Sequence, residues 1–232
     1  MALDNQAASG HAPRRAGRPV SKVLTRESIT TATLELLETA GYEGFTIAAL
    51  AKHLKVAPSA LYNHVESKKD VLIWVQDHLM GLVNTRAFQT QPWDDALRAW
   101  AWSYREAFAS HAPLVPVIAV MPVGGAYETL RMYEDVTRGL LDGGWPRERV
   151  ISTIVAVESF IYGSAMDVSA PTNIFDPGAL AADFPLFTAA VTDSATAPSG
   201  RSNADDAFDA GLEALIEGLR AQLERLRAGS HR

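Results

Sequence analysis

The sequence predicts an all-α protein, with a small three-helix head at the N-terminus and a larger helical body behind it. Three observations carry this. Apolar residues recur every three or four positions in separate runs, from Ile29 up to the stretch near residue 170 and again from Phe208 to Leu226, the spacing that lines one face of a helix. Stop signals fall between those runs, among them Gly41, Gln91-Pro92 and Gly143-Gly144-Trp145-Pro146. And residues 46–65 hold two short periodic segments parted by a tight break.

That last stretch reads as a helix-turn-helix. Thr46 is a good N-cap, its hydroxyl able to accept a bond from an amide of the first turn. Ile47, Leu50, Ala51 and Leu54 share a face, and Lys55-Val56 is the break. Pro58 suits the first turn of a second helix, where no amide hydrogen is needed. Ala60, Leu61 and Val65 can pack that helix back on the first. Ser59, Tyr62, Asn63 and His64 then face outward, short or planar groups that reach phosphates and base edges. Ser67 caps a further helix whose first turn carries Lys68 and Lys69. The helix dipole disfavours cations there, so the pair predicts an outside anion, which a DNA phosphate would supply. The plain alternative is a helical hairpin of any all-α protein.

The segments Gly41-Tyr42-Glu43-Gly44-Phe45-Thr46-Ile47, Leu50-Ala51, Ala60-Leu61-Tyr62-Asn63-His64-Val65 and Lys68-Lys69-Asp70-Val71-Leu72 together resemble the DNA-binding domain of the TetR family of transcriptional regulators. The resemblance runs over about 25–72 and implies a homodimeric, ligand-responsive regulator, a repressor in the first instance, of double-stranded operator DNA. On that reading Ser59, Ala60, Tyr62 and Asn63 lie near bases: Ala60 could touch a thymine methyl and Asn63 could pair with adenine. Tyr62, His64, Thr46 and Lys68 are expected on phosphates.

Composition is compatible with this. Of 232 residues 47% are apolar and 21% charged, enough for a sizeable core. No unbroken run of about 18 apolar residues occurs, so no membrane span is expected. The N-terminus has arginines but no apolar stretch before a cleavage site, unlike a secretory signal. Zero cysteines rule out disulfides and thiolate metal sites and fit a cytoplasmic protein. The net charge of −6 is unevenly spread: residues 1–70 carry +2 and the remainder −8. A mildly basic head on an acidic body can orient the head toward DNA.

Three domains are therefore expected: a disordered basic arm over 1–24, a helix-turn-helix domain over 25–72, and an effector-binding and dimerisation body over 73–228. In the arm, Arg14, Arg15 and Arg18 are either a solvated tail or a flexible segment following a narrow minor groove; similar Gly-Arg-Pro arms precede the first helix in many TetR relatives. Thr25 caps the first helix, Ile29, Thr33, Leu36, Leu37 and Ala40 form its stripe, and Gly41 ends it. Tyr42 and Phe45 are expected in the head's core. A fourth helix is expected from Lys68 to about Thr90, roughly 30 Å long. With Val71, Leu72, Val75, Leu79, Leu82 and Val83 inward, it makes a lever between head and body.

Trp93, Leu97, Trp100, Ala101, Tyr104 and Phe108 make an aromatic-rich helical face, followed by His111, which is expected to cap or sit at the surface. Such a face is core or the wall of an apolar cavity. Pro113, Pro116 and Pro122 interrupt the next stretch, and a helix from about Ala126 to Leu141 puts Leu130, Tyr133, Val136 and Leu140 inward. The helix 147–170 is apolar on two sides, as if buried against its own core and against a partner chain. Residues 170–203 read as a long excursion, with short helices near 177–184 and 185–191 and a flexible loop from Thr192 to Asn203. The last helix, 204–226, carries a near-heptad stripe from Phe208 to Leu226 that asks for a helical partner. The effector is expected to be apolar and ring-containing, held by Trp100, Tyr104, Phe108, Tyr133, Val157, Phe160 and Ile161.

Gly144-Trp145-Pro146, the segment Val155 to Gly163 and the segment Ala207 to Leu219 resemble the C-terminal domain of the tetracycline-repressor subgroup. By that resemblance the helices 147–170 and 204–226 of two chains form a four-helix dimer bundle. The subgroup's namesake holds a metal–drug chelate through a histidine. Val120 stands at that place here, with Asp167 at an acidic partner position, so the magnesium ligand lacks its histidine. No metal or cofactor is expected. No nucleophile–base spacing, phosphate loop or paired-His helix motif supports the rival reading as an enzyme. A fold kept as an interaction module without DNA binding is the other rival, opposed by the intact 46–72 stretch.

Overall fold

The computed structural model describes residues 24–196 and 202–229. Ten α-helices and three 3-10 turns make up its regular structure, and no strand occurs among the described residues. In the head, α1 spans Arg26–Gly44, α2 Ile47–Leu54 and α3 Pro58–Tyr62, with α4, Lys68–Gly81, leading into the body. Thr25 and Ser67 close capping boxes with Ser28 and Asp70, and the Thr46 hydroxyl accepts the Ala49 amide at 3.0 Å. Gly41 breaks α1 at φ +68, a conformation that L side chains rarely adopt. Ile29, Phe45, Leu50, Leu61 and Val71 are fully buried and make the head's core.

Three expectations for the head are corrected. Tyr42 is 36% exposed, not core; beyond the Gly41 break it lies on the surface under Lys68. Ala40 is exposed too, one turn past the last buried pair, Leu36 and Leu37. And α4 stops at Gly81, about 21 Å from its start at 1.5 Å per residue. Leu82 turns outward, and the chain crosses to a 3-10 turn at Arg86–Gln89 that seats Phe88 against Gly139.

The body begins with α5, Trp93–Ala109, then α6, Val115–Ile118, α7, Tyr127–Asp142, and α8, Arg147–Asp167. A long, exposed connection leads to α9, Pro185–Thr196, and α10, Asn203–Gly229, closes the chain. The helices α5, α7, α8 and α10 share one core with α4. Arg98 of α5 pairs with Glu213 of α10 at 2.7 Å and Arg220 of α10 with Asp94 of α5 at 2.6 Å, tying the two helices.

Several boundaries differ from the sequence reading. Leu130 is exposed, because Thr129 and Met132 take the inward face of α7. His111 neither caps nor lies free: it is largely buried, 3.3 Å from the Glu38 carboxylate of α1, and burial holds its imidazole below the usual range. Helix α9 runs through Thr192 to Thr196, in place of the expected loop; residues 197–201 lie outside the described residues. The stripe on α10 is met by its own chain, with Phe208, Leu212, Ile216, Leu219 and Leu223 buried. By length and composition alone α8 is long and apolar enough to cross a membrane. Its packing on α5, α7 and α10, with Glu158 buried midway, is that of a core helix.

Candidate DNA-reading face and effector cluster

Two groups of side chains stand out. The first is on the head. Lys55 takes a left-handed conformation, φ 59 and ψ 42, between α2 and α3. This turn lets Leu61 and Val65 pack inward. Ser59, Tyr62, Asn63 and His64 are then exposed together, as expected, while Ala60 is half-buried. Thr46 is exposed at the start of α2. Lys68 is half-buried at the start of α4, with its ammonium 4.0 Å from the Tyr42 ring and 3.4 Å from the Tyr42 carbonyl oxygen. Asp70 meanwhile accepts the Glu66 and Ser67 amides. Part of the compensation expected from an outside anion is thus internal. Arg14, Arg15 and Arg18 lie outside the described residues.

The second group is in the body. Trp100, Tyr104 and Phe108 recur at four-residue intervals on α5, all fully buried and in ring-to-ring sequence at 5.4 and 5.1 Å. Val157 and Ile161 are fully buried on α8. Tyr133 of α7, half-buried, donates to Glu158 Oε1 at 2.7 Å, and Tyr104 donates to the same oxygen at 3.0 Å. Tyr162 stands 2.6 Å from the Tyr104 hydroxyl and edge-on to the rings of Tyr104 and Phe108. Burial raises the Glu158 carboxyl above the usual carboxylate range, although both phenol bonds oppose it. Burial likewise lifts all three phenols above their ordinary value.

Phe160 does not join this group. It stacks on Phe208 at 5.3 Å and against Gly211, because its position on α8 turns it toward α10. Conversely, apolar periodicity singles out neither Glu158 nor Tyr162. The available signal is one carboxylate inside the otherwise apolar and small run Val155 to Gly163, one turn before a tyrosine.

Head and body meet at Asp77 of α4, which is buried. Its Oδ2 accepts from Arg26 of α1 at 2.7 Å. Its Oδ1 accepts the amides of Glu128 and Thr129 at 2.6 and 3.1 Å. Helix α7, whose own N-cap residue Ala126 has no capping side chain, is therefore capped by α4.

The family description "Bacterial regulatory proteins, tetR family" matches residues 29–74, and "Tetracyclin repressor-like, C-terminal domain" matches residues 88–223. The chain belongs to the TetR family. It is a transcriptional regulator with a DNA-binding N-terminal domain and a ligand-binding C-terminal domain. Tetracycline repressor protein class E of Escherichia coli is 28% identical over 204 residues, covering 87% of this chain and 93% of that protein. An HTH-type transcriptional regulator of Mycobacterium tuberculosis is 36% identical over 134 residues, 54% of this chain and 61% of that one. Among solved structures, apo ActR from Streptomyces coelicolor superposes with a TM-score of 0.71 at 23% identity, over 88% of this chain and 98% of that one. TetR from Acinetobacter baumannii AYE gives 0.62 at 26%, over 86% and 98%.

Proposed function

We propose that this chain is a homodimeric repressor that binds a pseudopalindromic operator and leaves it when a ring-containing, mostly apolar effector occupies the body. The observation that carries this is the exposure of Ser59 and Tyr62 on α3 together with Asn63 and His64 just past its end, beside Lys68, while Leu61 and Val65 anchor the segment from behind. Ser59, Ala60, Tyr62 and Asn63 read bases; Thr46, Tyr62, His64 and Lys68 hold phosphates, with Arg14, Arg15 and Arg18 following the groove. Residues 25–72 do this reading, and 73–228 bind effector and partner.

The dimer forms through α8 and α10. Ile151, Val155 and Met166 leave an apolar strip exposed on α8, and Ala214 and Gly218 leave small residues exposed on α10. Two heads then enter successive major grooves about 34–36 Å apart. Trp100, Tyr104, Phe108, Tyr133, Val157 and Ile161 hold the effector, and α4 carries the change to the heads. Linkage then requires DNA to weaken effector binding by the same factor. The repressor sense is drawn from the tetracycline repressors this chain is similar to, and such a regulator works in the cytoplasm.

Selection from a random DNA pool tests the reading. One sequence with two inverted half-sites is expected to enrich, and Tyr62→Ala is expected to weaken its binding in a gel shift while sedimentation still shows a dimer. A pool from which nothing enriches overturns the proposal.

A further inference from the structure

The apolar centre of the body contains a carboxylate with no counter-charge. Glu158 is 7% exposed, and among the described residues no Lys, Arg or His pairs with it. Both of its hydrogen bonds end on Oε1, so Oε2 receives no donor from the described residues. Arg105, the buried cation next along α5, is turned the other way, with Nη1 on Asp205 at 2.6 Å and Nε on Ser164 at 2.8 Å. Burying an ionised carboxylate without a partner cation is costly. The surroundings add to the imbalance: aromatic faces attract cations, and the two phenols on Oε1 belong to an aromatic group in which Trp100, Phe108 and Tyr162 pack against Tyr104.

We propose that the effector is a cation, a ring-bearing molecule with a protonated amine or ring nitrogen, whose charge sits on Glu158 and whose rings lie among Trp100, Tyr104 and Phe108. This rests on the reading of the cluster as the effector site. The way in is through Tyr162. That side chain is half-buried, and its hydroxyl bonds to Tyr104 and not to the carboxylate. Swinging it aside breaks one phenol–phenol bond and two edge-on ring contacts, with Tyr104 and Phe108, while Glu158 keeps both of its own bonds. The incoming N–H then takes the unoccupied Oε2. A neutral effector would leave the charge uncompensated, and an anionic one would be repelled.

The test uses the full-length protein and a library of small aromatic compounds in matched cationic, neutral and anionic forms, read by thermal shift and by quenching of tryptophan fluorescence. Binders are expected to concentrate among the cations. Glu158→Gln, which keeps an acceptor for both phenols, is expected to weaken them roughly ten- to a hundredfold, the range for a lost hydrogen bond to a charged group, and to hold neutral analogues no more weakly than the wild type does. Binders spread evenly over the charge classes, or cations held equally by the Gln variant, overturn the cation while leaving the effector cluster standing. A library in which no compound binds the wild-type chain overturns the cluster reading and this proposal together. The comparison of charge classes in the wild type stands even where the variant fails to fold.

Discussion

The head and the body start most of their helices in different ways; the exceptions are α3 in the head, which has no capping side chain, and α10 in the body, where the Ser202 hydroxyl accepts the Asp205 amide at 3.1 Å. In the head, α1, α2 and α4 are each opened by a hydroxyl next to them in sequence, Thr25, Thr46 and Ser67, and two of the three close full capping boxes. In the body, α5, α7 and α8 follow Pro92, Ala126 and Pro146, none of which offers a capping side chain. Helix α7 takes its cap from Asp77, about fifty residues earlier, and its last turn bonds to Arg227, with the Gly143 carbonyl accepting at 2.6 Å. A segment whose ends are satisfied from within can hold its shape while its neighbours move. A segment whose ends are satisfied from elsewhere reports what its neighbours do. A reading head needs the first property, and a ligand-responsive body the second.

The contrast is open to attack at its strongest point. Asp77→Ala leaves two amides of α7 without an acceptor, one of them fully buried, and frees Arg26. It is expected to lower unfolding free energy by about 2–4 kcal/mol in urea melts, since each stranded buried group costs about 1–3 kcal/mol. Ser67→Ala removes a local cap and is expected to cost about 1 kcal/mol, with operator affinity falling by no more than α4 fraying explains. Lys55→Gly relieves a non-glycine residue in the left-handed region and is expected to raise stability by up to about 1 kcal/mol, less than the strain itself because glycine has more freedom to lose. A result as large as that for Asp77 at either local site would dissolve the distinction.

The pH dependence sharpens it within the body. The Glu158 carboxyl is raised in the folded chain, so the folded state holds the proton more tightly than the unfolded one. Its stabilising contribution is present below the ordinary carboxylate value and is lost as pH rises through the raised folded value. Glu158→Gln is therefore expected to gain on the wild type as pH climbs from acid toward neutral, with the two melts converging at low pH. A gap that widens toward acid would have the wrong sign.

Legibility in the sequence divides along the same line. The head can be read almost residue by residue, because Thr46, Gly41, Pro58 and Ser67 act on their immediate neighbours and leave compositional marks. The stripe Trp100-Tyr104-Phe108 is equally plain as a helical face. Glu158 and Asp77 are not legible, since a carboxylate in a helix is ordinarily a solvated one, and only tertiary packing buries these two. Phe160 shows the opposite failure. Its size suggests the cluster, yet its angular position on α8 sends it to Phe208. The end of α4 escapes a reading by periodicity because apolar spacing continues past Gly81 into residues that pack as a turn.

Asp77 leaves the joint without slack. Its two oxygens bond to different elements, one to the helix that begins the head and one to the start of a body helix, at distances with little room to stretch. A slide of α4 by a fraction of an ångström can be absorbed, but a larger one must break one side of the clasp outright. Movement arriving from the body would then reach the head as a step, not as a gradual lean.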